Sequence, residues 1–274
     1  MCYAPTEAPV VRRPFALANW KMAMTIAQSL AFVREFLARA GPYLDTVEVV
    51  LCPPYTALAT VAAAIRGTPI AVGGQDLWPG PGQAHTGAVS AELLADAGAR
   101  WVMVGHWEVR RRLQEDDGAV NQKVRAAMEG GLRPILLVGE AAGRVFDPGR
   151  LSVLLDGCDD EAVARMVFVY EPEGAIGQPE PVPPAHAAAG CRAIRRWLAE
   201  RFGEEVAGQA RIIYGGSVTP EHAAALLADP DVDGLGATRR GRDPAAFADI
   251  VARIAKRVSD VPGTSEVPGT FFIE

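Results

Sequence analysis

Six polar residues follow short apolar runs in this chain, and their types suit proton transfer beside an anion. Glu171 ends the run beginning at Val167 and leads into a loop dense in Gly and Pro, Pro172–Pro184. A strand that delivers an acid to its end and continues into a mobile loop can hold a base over a pocket. Asn19 and Lys21 follow a first apolar run, His106 and Glu108 follow another, and Ser217 closes a Gly-Gly-Ser turn. Together they supply a base, hydrogen-bond donors, a cation and a loop of small residues suited to an anion. Singly they say little. A lone His is most often a hydrogen-bonded structural residue, a lone Glu or Lys a surface residue, and Gly-Gly-Ser a turn.

The elements that must position them are eight apolar strands: Phe15–Asn19, Val47–Cys52, Pro69–Gly73, Trp101–Val104, Arg133–Val138, Met166–Tyr170, Arg211–Tyr214 and Val232–Leu235. Each precedes a helical stretch. Thr25 is an N-cap for a helix to Ala40 with Ile26, Leu30, Val33 and Leu37 on its inner face. Ser90 caps a helix ending at Gly98. A polar helical region after His106 carries the stripe Val120, Val124 and Met128, and Leu151–Leu155 forms a short helix. A helix over 185–202 buries Ile194, Trp197 and Leu198. Thr219-Pro220-Glu221 is a capped start, and Asp243-Pro244 opens the last helix. Eight strand–helix units predict a single α/β domain, a (β/α)8 barrel over 15–258, in which strand C-terminal ends converge on one face. An N-terminal arm, 1–14, and a C-terminal tail, 259–274, flank it. No GxGxxG follows the first strand, which argues against an open dinucleotide-binding sheet.

Composition agrees. The 274 residues suit one barrel of about 250 residues. Hydrophobic residues make up 49%, enough for a large core, and the net charge of −6 with no basic run excludes non-specific nucleic-acid binding. Cys2, Cys52, Cys158 and Cys191 form no CxxC pair and no metal spacing, so they are expected as reduced thiols of a cytoplasmic protein. No secretory signal and no run of about 18 apolar residues occurs, so no membrane role is expected. VPGT occurs twice in the tail, which is too little for a repeat architecture, and Phe271, Phe272 and Ile273 offer a short apolar end.

Several segments taken together are far more specific. NWKM at 19–22, HTGAVS at 85–90, Gly-His-x-Glu at 105–108, Gly139-Glu140, YEPxxAIG at 170–177 and YGGSVTPE at 214–221 occur in one order, and 232–244 extends it. In this the chain resembles the triosephosphate isomerase family over about residues 15–257. The resemblance implies the roles long established for that family. Glu171 would remove the proton beside a carbonyl. His106, as a neutral imidazole, would polarise that carbonyl. Lys21 and Asn19 would stabilise the developing oxyanion, with Glu108 orienting Lys21. Residues 172–182 would be a lid, and Gly177, Ser217, Thr238 and Arg239 would meet the substrate phosphate. No metal or organic cofactor is required. The partners implied are a small phosphorylated sugar and, through the loop carrying Thr86, a second copy of the chain in a homodimer.

The departures fall in functional loops. Trp107 stands where the family has Ser, Glu173-Gly174 where it has Val-Trp, and Thr238-Arg239 where a Gly-Gly pair normally meets phosphate. Ala23, Ala88, Val109 and Leu137 also differ from the family pattern. Glu173 beside Glu171 would disfavour a charged base, whereas facing solvent it would matter little. Gly174 is expected to loosen the first lid hinge, and Pro179, Pro181, Pro183 and Pro184 to stiffen the tip and second hinge. Arg239 either reaches an anion or faces solvent. Three readings therefore stand at this point: interconversion of dihydroxyacetone phosphate and glyceraldehyde 3-phosphate, isomerisation of a related phosphorylated ketose such as a tetrulose phosphate, or a non-catalytic barrel that binds an anionic metabolite or a partner.

Overall fold

The computed structural model describes residues 12–80 and 82–259. Nearly all of the expected N-terminal arm and C-terminal tail, including Cys2 and Phe271–Ile273, lies outside the described residues. Eight parallel strands close into a barrel in sequence order: β1 (Phe15–Asn19), β2 (Glu48–Cys52), β3 (Ala71–Gly74), β4 (Trp101–Val104), β5 (Arg133–Val138), β6 (Val167–Tyr170), β7 (Arg211–Gly216) and β8 (Gly234–Ala237), with β8 pairing back onto β1. The helices are α1 (Ile26–Ala40), α2 (Tyr55–Ala64), α3 (Ala91–Asp96), α4 (Trp107–Leu113), α5 (Asp117–Glu129), α6 (Leu151–Leu154), α7 (Asp160–Ala164), α8 (Pro184–Phe202), α9 (Glu204–Gln209), α10 (Pro220–Leu226) and α11 (Pro244–Ser259).

Strand alternation explains the two layers of core. Phe15 and Leu17 of β1, Trp101 and Met103 of β4, Ile135 and Leu137 of β5, and Val167 and Val169 of β6 fill the barrel interior with Ile213. The residues between them, such as Ala16, Ala18, Val102 and Phe168, pack outward against the helices. Side chains alternate across a strand, so Asn19 and Glu171 continue the inward series of β1 and β6 at their C-terminal ends. The opposite end is a plug. Phe15 and Trp101 meet edge to face at 5.3 Å. Arg211 lies over both rings, and Glu48 pairs with it.

Three expectations need correction. The buried face of α1 is Ser29, Phe32, Val33, Phe36 and Ala40, while Ile26 is 45% exposed. The aromatic rings decide this: Phe32, Phe36 and Phe247 of α11 stack in series and Trp20 meets Phe32 edge-on, with centroids 4.8–5.6 Å apart. The polar region after His106 is two helices, α4 and α5, separated where Gln114 turns left-handed at φ 55°. Asp116 then caps α5 by accepting from Ala119 N. Thr219 makes no side-chain cap to α10; its hydroxyl lies 3.0 Å from His222 Nδ1 instead. Thr25 and Ser90 cap as expected, Thr25 in a full capping box with Gln28.

Closure leaves no room at Gly234. A Cβ there would fall 1.8 Å from the Phe15 carbonyl oxygen, across the β8–β1 seam. Gly234→Ala is therefore expected to destabilise the fold by about 2–3 kcal/mol, read as a lower urea midpoint at fixed protein concentration. An unchanged midpoint would show that the seam can open at no cost.

Candidate active site

His106 reaches the rim because Gly105 ends β4 at φ 82°, a conformation that other residues rarely adopt. His106 then stands at the N-cap of α4, and its Nδ1 accepts the Glu108 backbone N–H at 3.1 Å. That bond fixes the tautomer of a neutral ring, with the proton on Nε2. Nε2 points at Glu171 Oε2, 3.6 Å away. Both residues are buried, 4% and 6% exposed, and among the described residues neither of these two atoms has a hydrogen-bond partner. Buried polar groups are nearly always paired, so a donor and an acceptor left facing each other beyond hydrogen-bond range mark a place for a third group.

Lys21 is held beside them in a left-handed conformation, φ 52°. Its backbone N–H donates to Asn19 Oδ1 at 2.9 Å, and Gln75 Nε2 donates to its carbonyl at 2.8 Å. Its ammonium lies 2.5 Å from Glu108 Oε1. Burial pushes the Glu108 carboxyl up, but the Lys21 hydrogen bond and the charges of Lys21 and Arg112 outweigh it, and the group sits below its ordinary value.

A cavity of about 210 Å³ opens beside Glu171, lined also by Lys21, Gly177, Ser217, Thr238 and Arg239. Arg240 and Arg242 line it too; Arg242, two residues before the Pro244 helix start, carried no sequence signal that marked it. Four cationic side chains around one small cavity suit a compact anion. His106 and Asn19 are both buried and are not among the residues that line this cavity. Among the described residues no cluster of three or more His, Cys, Asp or Glu side chains could hold a metal.

The loop after Glu171 is tied across this cavity. Ser217 Oγ donates to Ala175 O at 3.2 Å and to Gln178 O at 2.5 Å. Arg239 Nη2 approaches Gly177 O at 3.4 Å, and Tyr214 OH accepts from Val182 N. Arg239 is thus exposed, lines the cavity and approaches the loop at the Gly177 carbonyl. Glu173 takes neither of the positions expected for it. Its Oε2 accepts from Ala142 N at 2.7 Å, and its Oε1 pairs with Arg111 of α4. The side chain thus points away from Glu171 and pins the short 3-10 turn Glu173–Ala175. Gly174 has open space around it and an ordinary φ, so nothing in its surroundings demands glycine.

Behind the loop, Tyr170 OH, Glu140 and His186 Nε2 form a closed triangle at 2.8–3.1 Å. Burial, with the Glu140 carboxylate, drives the Tyr170 phenol far up, so it stays a donor. Trp107 does not line the cavity; its indole Nε1 donates to the Glu171 carbonyl at 3.1 Å. The loop bearing Thr86 is exposed, with His85 packed on Trp78 at 4.7 Å.

Comparison with known proteins places this geometry. Residues 14–254 match the triosephosphate isomerase family. Triosephosphate isomerase of Symbiobacterium thermophilum is 44% identical over 253 residues, 90% of this chain and 98% of the relative. That of Chloroflexus aurantiacus is 41% identical over 250 residues, 88% and 99% of the two chains. A crystal structure of triosephosphate isomerase from Bartonella henselae superposes with a TM-score of 0.77 at 31% identity, covering 89% of this chain and 99% of that one.

The hold on the turn Glu173–Ala175 is testable. Glu173→Ala removes both the Arg111 pair and the acceptor for Ala142 N. Amide exchange at Ala175 and Ile176, whose N–H groups bond within this turn, is expected to accelerate about tenfold. Unchanged protection at those two amides would show that the turn holds without Glu173.

Proposed function

The chain belongs to the triosephosphate isomerase family, and on that premise we propose that it interconverts dihydroxyacetone phosphate and glyceraldehyde 3-phosphate, an intramolecular aldose–ketose redox step of glycolysis and gluconeogenesis. One observation carries the assignment of roles: Glu171 Oε2 and His106 Nε2 face each other 3.6 Å apart, buried and unpartnered, beside a cation-lined cavity. In this reading the substrate's carbonyl carbon and its neighbour lie alongside the pair, within reach of both groups.

Glu171 takes the proton from the carbon next to the carbonyl. The His106 Nε2–H hydrogen-bonds the carbonyl oxygen as it gains charge, and the Lys21 ammonium and the Asn19 amide stabilise the same oxyanion. The proton of the neighbouring hydroxyl passes to the former carbonyl oxygen, and the enediolate takes the carbon-bound proton back from Glu171 at the former carbonyl carbon, so no net proton, electron or cofactor is consumed. Glu108 keeps the Lys21 ammonium in place. The phosphate lies toward Gly177, Ser217, Thr238 and Arg239. There the guanidinium stands in for backbone donors, which the side chains of Thr238 and Arg239 would otherwise crowd. The working form is a cytoplasmic homodimer in which the loop bearing Thr86 meets the second copy. Among the described residues no helix is long and apolar enough to cross a membrane.

In heavy water the purified protein is expected to exchange the carbon-bound proton of dihydroxyacetone phosphate. Glu171→Gln is expected to lower turnover about 10²–10⁴-fold. Absence of exchange with this substrate and with a tetrulose phosphate would sink the enzymatic reading, and faster turnover of the tetrulose would move it to the longer ketose. Sedimentation at twice the chain mass is expected; a monomer that turns over normally would rule out the dimer as the working form.

A further inference from the structure

The departure at Trp107 has a structural consequence that reaches Glu171 from behind. Trp107 is the first residue of α4, and its indole N–H donates to the Glu171 carbonyl oxygen at 3.1 Å, linking residues 64 apart in sequence. Gly139, just after β5, approaches the same carbonyl so closely that a Cβ there would sit 2.2 Å from it. The Glu171 N–H is already committed to Val138 O at 2.8 Å. The peptide that carries the acid is therefore held at its nitrogen by β5 and at its oxygen by an indole.

The indole is itself held. The Arg110 guanidinium lies 6.0 Å from its ring centroid and the Arg150 guanidinium 5.7 Å, both within cation–π range. One carboxylate, Asp117, binds both cations: Arg110 Nη1 at 2.8 Å, Arg150 Nη2 at 2.6 Å and Arg150 Nε at 2.9 Å. Burial raises the Asp117 carboxyl, but Arg150 and Arg110 outweigh it and hold the group below its ordinary value. Arg150 also donates to Gly139 O at 3.1 Å. So one aspartate fixes two guanidiniums, these fix the ring, and the ring with Gly139 fixes the Glu171 peptide.

We propose that Trp107 is a positioning residue for Glu171: its N–H anchors the last peptide before the lid, so that only the carboxylate and the loop beyond it move as the lid opens and closes. This rests on Glu171 being the base. Loss of the anchor lets the carboxylate drift from the carbon it must reach, and a misplacement of about 1 Å is enough to slow such a step 10²-fold. Substrate binding, which depends on the far wall of the cavity, is spared.

Trp107→Phe keeps an aromatic ring between the same neighbours and deletes the N–H. Turnover is expected to fall about 10-fold to 100-fold with KM within about twofold. Because proton abstraction becomes the slow step, the isotope effect with dihydroxyacetone phosphate deuterated at the reacting carbon is expected to rise. Arg150→Lys, at a more exposed position, loosens the ring without touching it. It is expected to give a smaller loss with the same rise in isotope effect, and the double variant is expected to be no slower than Trp107→Phe alone. If Trp107→Phe does not fold, Arg150→Lys carries the test. Unchanged turnover and isotope effect in the folded variants, or a double variant with fully additive losses, overturns the proposal. Glu171→Gln separates the two levels: if it stays active, the base assignment falls first, whereas an inactive Glu171→Gln beside an unaffected Trp107→Phe sinks only the positioning role.

Discussion

A closed barrel can be filled only from alternate residues of each strand, and this constraint governs everything above it. Phe15, Leu17, Val167 and Val169 occupy interior positions because they share one parity, and Asn19 and Glu171 inherit that parity two residues later. The apolar layers end where the strands end, so the next inward residues are polar, close together and still largely dry. The plug of Phe15, Trp101 and Arg211 at the other end closes the interior to solvent from below. Chemistry is thus confined to one face, as barrel geometry generally requires.

Keeping two unpartnered polar atoms dry at that face is costly, on the order of 1–3 kcal/mol for each. The left-handed Lys21 adds a backbone strain of similar order. The protein offsets these terms locally rather than by relaxing them. Asn19 and Gln75 brace both sides of the Lys21 backbone, Glu108 neutralises its ammonium, and the Glu108 N–H fixes the His106 ring. The braces come from three strand ends, β1, β3 and β4, so the strained geometry survives only while the barrel is closed. The site therefore depends on the same seam, at Gly234 and Phe15, that the fold depends on.

Much of this was legible in the sequence. β1, β4 and β5 have the boundaries their apolar runs suggest, because period-two burial leaves a direct mark on composition. Residues at the strand ends could be named because they lie next to those runs. What was not legible depends on pairs distant in sequence. The direction of Glu173 is set by Arg111, 62 positions before it, and that of Trp107 by the Glu171 carbonyl. The inner face of α1 was misread because Phe247, on the last helix, recruits Phe36 and through it Phe32. Local pattern gives the period of a helix; the rings it meets set its rotation.

The exchange of a glycine pair for Thr238 and Arg239 also gains a physical reading in this setting. Backbone amides grip an anion rigidly and independently of the lid. A guanidinium on a long stem does neither: Arg239 lies on the cavity wall and also reaches the Gly177 carbonyl of the lid. Its five donors exceed what one carbonyl can use, so a phosphate can bind without displacing that contact. In the proposed function, anion binding and lid closure then share one side chain. Glu173 contributes at the other end by fixing the first turn of the loop to α4 through Arg111. The lid is held at its root by an acid and drawn down near its tip by a cation, while Gly174 between them carries no side chain to pack. Residues that depart from the family pattern thus occupy both ends of this loop, whereas Asn19, Lys21, His106 and Glu171 keep that pattern.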